Sequence, residues 1–167
     1  MSRSLFDDLD ASPSARMDSA DARTLRLASH PLTDEELAGL LRYQETFLAC
    51  LEGASPASGA LVEAHQKGLA ASGLDMKAVE WGTSLLRAYG GQRWTVRTLR
   101  ERLAELEQRT DAASRERVDK ARGELRRLED LEPLARRYGQ DTLDRLNAHE
   151  ERVVALHTRM QKALTRV

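Results

Sequence analysis

Residues 92–131 read QRWTVRTLRERLAELEQRTDAASRERVDKARGELRRLEDL, with no proline and a single glycine, Gly123. Charged and apolar residues alternate through this stretch at helical spacing. Leu99, Leu103 and Leu106 form a four-three seam that Thr110 and Ala113 continue. A second register, Val118, Ala121, Leu125 and Leu128, starts five positions after Ala113 rather than four. The slip falls in the most polar portion, 109–117. Either the seam rotates towards a different neighbour, or the chain folds back near Thr110-Asp111. With neither glycine nor proline at that point, an unbroken helix is the expectation. At about 1.5 Å per residue it would be a rod of roughly 60 Å, longer than a domain of this size is wide. Such a rod has to lie along other helices, pair with a second copy, or project towards a partner.

On the C-terminal side, Pro133 suits the first turn of a short helix over 133–138, which Tyr138-Gly139 ends. Asp141 and Asp144 bracket the start of a last helix, 141–166. There Leu146, Val153, Met160 and Val167 recur every seventh position, widened by Leu143, Leu156 and Leu164. That stripe is expected to pack antiparallel along the rod.

On the N-terminal side, Gly90-Gly91 is expected to stop a helix over 75–89 that Asp75 caps. Met76, Val79, Leu86 and Tyr89 share one face of it, and Trp81, Leu85 and Ala88 the adjacent one. A helix apolar over so much of its girth is covered by several neighbours. A helix over 59–72 comes before it, with a thin stripe (Leu61, Val62, His65, Leu69) weakened by Gly68. A loop, 54–59, separates it from a helix over 33–52 that opens with a capping box, Thr33 and Glu36. Residues 1–31 are rich in Ser, Ala, Asp and Arg and read as a disordered tail. Within it Leu5, Phe6 and Leu9 stand among Asp7, Asp8 and Asp10, a pattern suited to one amphipathic turn on a partner.

Composition agrees with this outline. The chain of 167 residues is 32% charged, 41% hydrophobic and 4% aromatic, a profile of Leu/Ala-rich helix packing rather than of a sandwich or barrel. No β-branched alternation signals a strand. The expected fold class is therefore all-α: a helical bundle built on a long antiparallel hairpin, in one domain over 32–167. Cys50 is the only cysteine, which excludes an internal disulfide and a cysteine metal cluster. No apolar run of about 20 residues suggests a membrane span, and a cytoplasmic location is the expectation. The surplus of arginine over lysine fits a GC-rich coding sequence. Residues 92–137 carry a modest basic excess diluted by carboxylates, a poor footprint for nucleic acid.

Catalytic patterns are missing from the sequence. His149 and His157 lack the Glu-x-x-His spacing of carboxylate-bridged metal bundles. No nucleophile elbow or phosphate loop surrounds any serine or glycine pair. No cofactor, metal or enzymatic activity is expected. Trp81, Tyr89 and Trp94 are candidates for one aromatic cluster at the bundle end, serving as core or as a partner-binding anchor. Arg136, Arg137 and Tyr138 form a small basic-aromatic spot. The functional expectation is a non-enzymatic protein–protein interaction module, an adaptor, scaffold or regulatory subunit. Its extended hairpin would bind another protein or a second copy of the chain. The alternative is a nucleic-acid-associated regulator using an Arg-rich helix face.

Overall fold

The structure, a computed structural model of the chain, describes residues 30–54 and 59–165. The readings placed on residues 1–29 (nearly all of the tail, with Leu5, Phe6 and Leu9), on 55–58 and on 166–167 lie outside the described residues. Among those that are described, every regular element is a helix: α1 (Asp34–Gly53), α2 (Ala60–Ser72), α3 (Met76–Glu107), α4 (Ala112–Glu129), α5 (Glu132–Tyr138), α6 (Gln140–Ala148) and α7 (Glu150–Leu164).

Several helix ends form where local chemistry directs. The Thr33 hydroxyl accepts from the Glu36 amide at 3.1 Å, and the Glu36 carboxylate accepts from the Thr33 amide at 3.0 Å, closing the capping box of α1. Asp75 caps α3 by accepting from the Ala78 amide at 2.7 Å. Gly73, at φ 69°, takes the left-handed conformation that ends α2. Arg42 of α1 then donates to the free carbonyls of Ala71 and Ser72 at 3.3 and 3.2 Å, which ties the end of α2 to α1.

α1 and α2 pack as a hairpin through small residues. Ala64, Gly68 and Ser72 form the buried face of α2. A Cβ on Gly68 would sit 2.9 Å from the Tyr43 ring, so this glycine sets the helix separation. The thin stripe of α2 is thus a close-approach surface, and the residues expected to form its apolar side, Leu61 and Val62, are exposed.

Two expectations about the long segment are corrected. First, Gly90-Gly91 does not stop a helix; α3 runs through both. A Cβ at Gly90 would lie 3.3 Å from His157 Cβ and from Val153 Cγ1, and one at Gly91 would lie 3.5 Å from His157 Cε1. The glycines remove bulk where α7 crosses α3, and the tertiary contact outweighs the helix penalty of about 1 kcal/mol each. Second, the rod over 92–131 is not continuous. The helix ends at Glu107, and Asp111 caps a new one by accepting from the Ser114 amide at 3.0 Å and the Ser114 hydroxyl at 2.6 Å. The chain reverses over Gln108–Asp111, and α4 returns along α3. Gln92 donates to the Leu128 carbonyl at 2.7 Å at the base of this hairpin, and Arg122 meets Glu107 at 2.7 Å nearer its tip.

The last helix is also divided. α6 ends at Ala148, His149 adopts φ −116° and ψ 18°, and α7 starts at Glu150. α7 runs antiparallel to α3, but against its middle rather than along a rod. On its other side, the α6–α7 unit runs parallel to α1. Arg145–Asp34, Arg152–Glu45 and Arg159–Glu52 pairs mark this register at 3.1, 2.7 and 2.9 Å.

The core lies where α1, the first half of α3 and α7 meet. Leu40, Leu41, Leu48, Leu85, Leu86, Tyr89, Val153 and Leu156 are all buried there. Each such leucine contributes about 1.5–3 kcal/mol on leaving water. Leu40 sits directly over Gly82, where a Cβ would meet its methyl carbons at 2.3 Å. Leu32 enters the same core ahead of α1, its amide donating to the buried Thr142 hydroxyl at 3.1 Å.

Candidate interaction site

Beyond the point where α7 begins, α3 continues as one side of a two-helix arm. At that boundary Arg97 bonds Glu151 at 2.6 Å and Glu150 at 3.1 Å, while Arg93 reaches Glu150 at 3.2 Å. These carboxylates, Glu151 first, raise the Arg97 pKa further, and Arg97 in turn lowers that of Glu151. Further out, the ion pairs of α3 are with α4: Arg100 with Glu129 at 2.6 Å and Glu107 with Arg122. Only Ser114 and Val118 of α4 are buried. Leu99, Leu103 and Leu106 on α3, and Leu125 and Leu128 on α4, are half-buried. The arm covers one face of each helix and leaves the rest open.

A groove of about 450 Å³ opens on the bundle between α1, α3 and α7. Phe47, Leu86, Val153, Met160 and Leu164 supply its apolar surface, with Arg87, His157 and Gln161 among its polar lining residues. Burial, followed by the charge on Arg87, holds His157 below the ordinary imidazole range. Gln161 Nε2 stands 3.0 Å from His157 Nε2, which suits an amide donating to an unprotonated ring nitrogen.

The aromatic residues are not one cluster. Tyr89 is fully buried and its hydroxyl donates to Asn147 Oδ1 at 2.7 Å. Burial, reinforced by the Glu150 charge, pushes its pKa up to about 12. Trp81 is half-buried and meets His30 edge-on at 5.4 Å, whereas Trp94 tilts against His157 at 6.2 Å. Thirteen residues of one continuous helix separate the two tryptophans, about 20 Å of rise, because Gly90-Gly91 does not fold α3 back. Only Trp94 borders the arm; with Thr98, Ala155 and Thr158 it lines a shallow recess beside the Arg97 ion pairs.

The basic-aromatic spot is built as follows. Tyr138 is buried, Arg136 pairs with Glu132 at 3.0 Å, and Arg137 lies 5.3 Å from the Tyr138 ring centre. Of the two guanidinium groups in this spot, Arg137 is exposed and has no carboxylate partner among the described residues. No group of three or more potential metal ligands occurs among those residues, and no described helix is long and apolar enough to cross a membrane.

Sequence reading missed the groove entirely. Its walls come from three helices distant in the chain, and the glycine pair that brings α7 onto α3 reads locally as a turn. No protein-family model, curated protein or solved structure matches the chain.

Proposed function

We propose that the chain is a non-enzymatic protein–protein interaction module that acts through the α3–α4 arm. It would serve as an adaptor, scaffold or regulatory subunit, engaging another protein or a second copy of itself. One observation carries this reading: α4 packs on α3 and buries just Ser114 and Val118 of its own. A helix that adds so little to the core has its value in the surface it presents. The arm is shorter than an unbroken helix over 92–131 would be: a self-paired finger whose half-covered leucines offer a partner helix a second apolar face.

The test is site-specific photo-crosslinking in the native cell from two exposed arm positions, Arg117 and Asp119, and from Lys77 on the bundle. Light scattering of the purified chain accompanies it. Adducts of defined mass from the arm alone, or a dimer linked through the arm, support the reading. Adducts from Lys77 with none from the arm would remove it. The nucleic-acid reading is separated by a salt series with duplex DNA. Its support is weaker, because Arg100, Arg122, Arg127 and Arg136 each already face a carboxylate, and shallow salt dependence would discard it.

A further inference from the structure

The polar groups lining the groove between α1, α3 and α7 are of two kinds. Some are matched within the protein: the Tyr43 hydroxyl stands 2.7 Å from His65 Nδ1, and Gln161 Nε2 3.0 Å from His157 Nε2. Others are not. The side chains of Gln44, Thr83 and Arg87 hydrogen-bond no other described residue, and no acidic residue lines the groove. Gln44 is only 8% exposed, and a buried amide ordinarily has a partner. No polar side-chain atom of the described residues is both sealed from solvent and unpartnered. The Gln44 amide therefore reaches open space, and the groove is the space it lines. Arg87 is its exposed counterpart, a guanidinium without an ion pair among the described residues. The remaining surface is largely hydrocarbon, and along α7 it runs from Val153 to Leu164, about 16 Å of helix rise. Apolar walls with a few convergent polar groups, around a volume of about 450 Å³, are the makings of a small-molecule site.

We propose that the groove binds a medium-chain aliphatic carboxylate that carries a hydroxyl or carbonyl oxygen on its chain. The carboxylate pairs with Arg87, the methylenes cover Phe47, Met160 and Leu164, and the chain oxygen accepts from the Gln44 amide. Each part of the ligand answers one part of the protein. An unpaired guanidinium with no carboxylate beside it in the groove selects an anion over a cation. The long apolar wall selects an extended chain, each buried methylene strengthening binding by about fourfold. Gln44 selects an oxygen on that chain, because a plain alkyl chain would cover its amide and leave it unbonded. This inference is independent of the arm, so failure of one leaves the other standing.

Calorimetric titration of the full chain, with the Met160 methyl followed by NMR, tests it. The probes are decanoate, decanoates hydroxylated near the carboxylate or at the chain end, methyl decanoate and decylammonium. The better hydroxy acid should bind about tenfold more tightly than decanoate and shift the Met160 methyl to saturation. Decanoate should in turn exceed its methyl ester by about tenfold, with decylammonium weakest. Arg87→Gln should close the gap between decanoate and the ester, and since Arg87 is exposed the fold is kept. Gln44→Leu should remove the advantage of the hydroxy acids without weakening decanoate. The quantity read there is preference among probes, which a modest loss of stability does not imitate. Equal affinity for decanoate, ester and ammonium would overturn the proposal, as would hydroxy acids that bind no better than decanoate. A Met160 methyl unmoved by every probe would do the same. If that methyl moved with protein concentration alone, the groove would belong to a second copy of the chain and the proposal would fall.

Discussion

The bundle and the arm share a helix and are held together differently. In the bundle, α3 is flanked by α1 and α7, and Leu85, Leu86 and Tyr89 are at most 2% exposed. In the arm, the same helix has α4 for company, and Leu99, Leu103 and Leu106 are half-buried. Both use arginine–carboxylate pairs, but exposed pairs of that kind contribute only about 0–1 kcal/mol each. The difference in apolar cover therefore decides relative stability. The bundle sets the global unfolding free energy, and the arm opens below it.

The largest effect expected from this contrast is in the core. Leu48→Ala should cost about 2–5 kcal/mol, because Leu48 is fully buried. Leu103→Ala on the arm should cost about half of that or less, in proportion to its partial cover. Equal losses in urea melts would break the distinction. Glycines sharpen it further. Gly90→Leu should destabilise by about 1–3 kcal/mol through overpacking, since Val153 and His157 already stand 3.3 Å from the new Cβ. Gly123→Ala on the arm meets nothing within 4 Å and should stabilise by about 0.5–1 kcal/mol. Thermal melts of the pair should move in opposite directions.

A smaller effect is expected from Asp111→Ala, which removes both bonds to Ser114. Amide exchange should speed up in the first turns of α4 while α1 and α7 keep their protection. Loss of protection throughout would mean that the arm and bundle unfold as one unit. The smallest concerns pH. Burial and Arg87 lower the His157 pKa from its usual 6.5, so the unfolded chain takes up this proton first as pH falls. The stability it contributes is complete above the unfolded value and is lost as pH drops through the folded one. His157→Gln should flatten the melting temperature between pH 7 and 5, while the wild type should decline.

How much of this could be read in advance depended on how local each signal was. Thr33–Glu36, Asp75, Gly73 and Gly139 act within a few residues, and each forms the cap or stop its sequence indicates. The all-helical class followed from the same local patterns. The five-residue slip marks the turn at Thr110, but the lack of glycine or proline there points to a continuous helix. The structure turns because Asp111 caps α4 through Ser114, and an aspartate cap starts a helix without either residue. Gly90-Gly91 had no local signal that separates turn from close approach. Its meaning resides in Val153 and His157, more than sixty positions away. The candidate site suffered accordingly. Trp81, Tyr89 and Trp94 can meet only if the helix stops at Gly90-Gly91, whereas α3 runs through both, and the groove depends on the crossing of α7 that this glycine pair accommodates.

Because α3 is uninterrupted from bundle to arm, the direction in which the arm points is fixed by residue count. One residue inserted between Gly91 and Leu99 would turn the outer part of α3 by about 100° and advance it by about 1.5 Å, out of register with α4, which Gln92 and Arg100 hold at Leu128 and Glu129. Seven in α3 matched by seven in α4 would lengthen the finger by about 10 Å while returning it to within roughly 20° of its present azimuth. The helix thus works as an indexed shaft, on which reach can be changed without re-aiming only in steps of two turns.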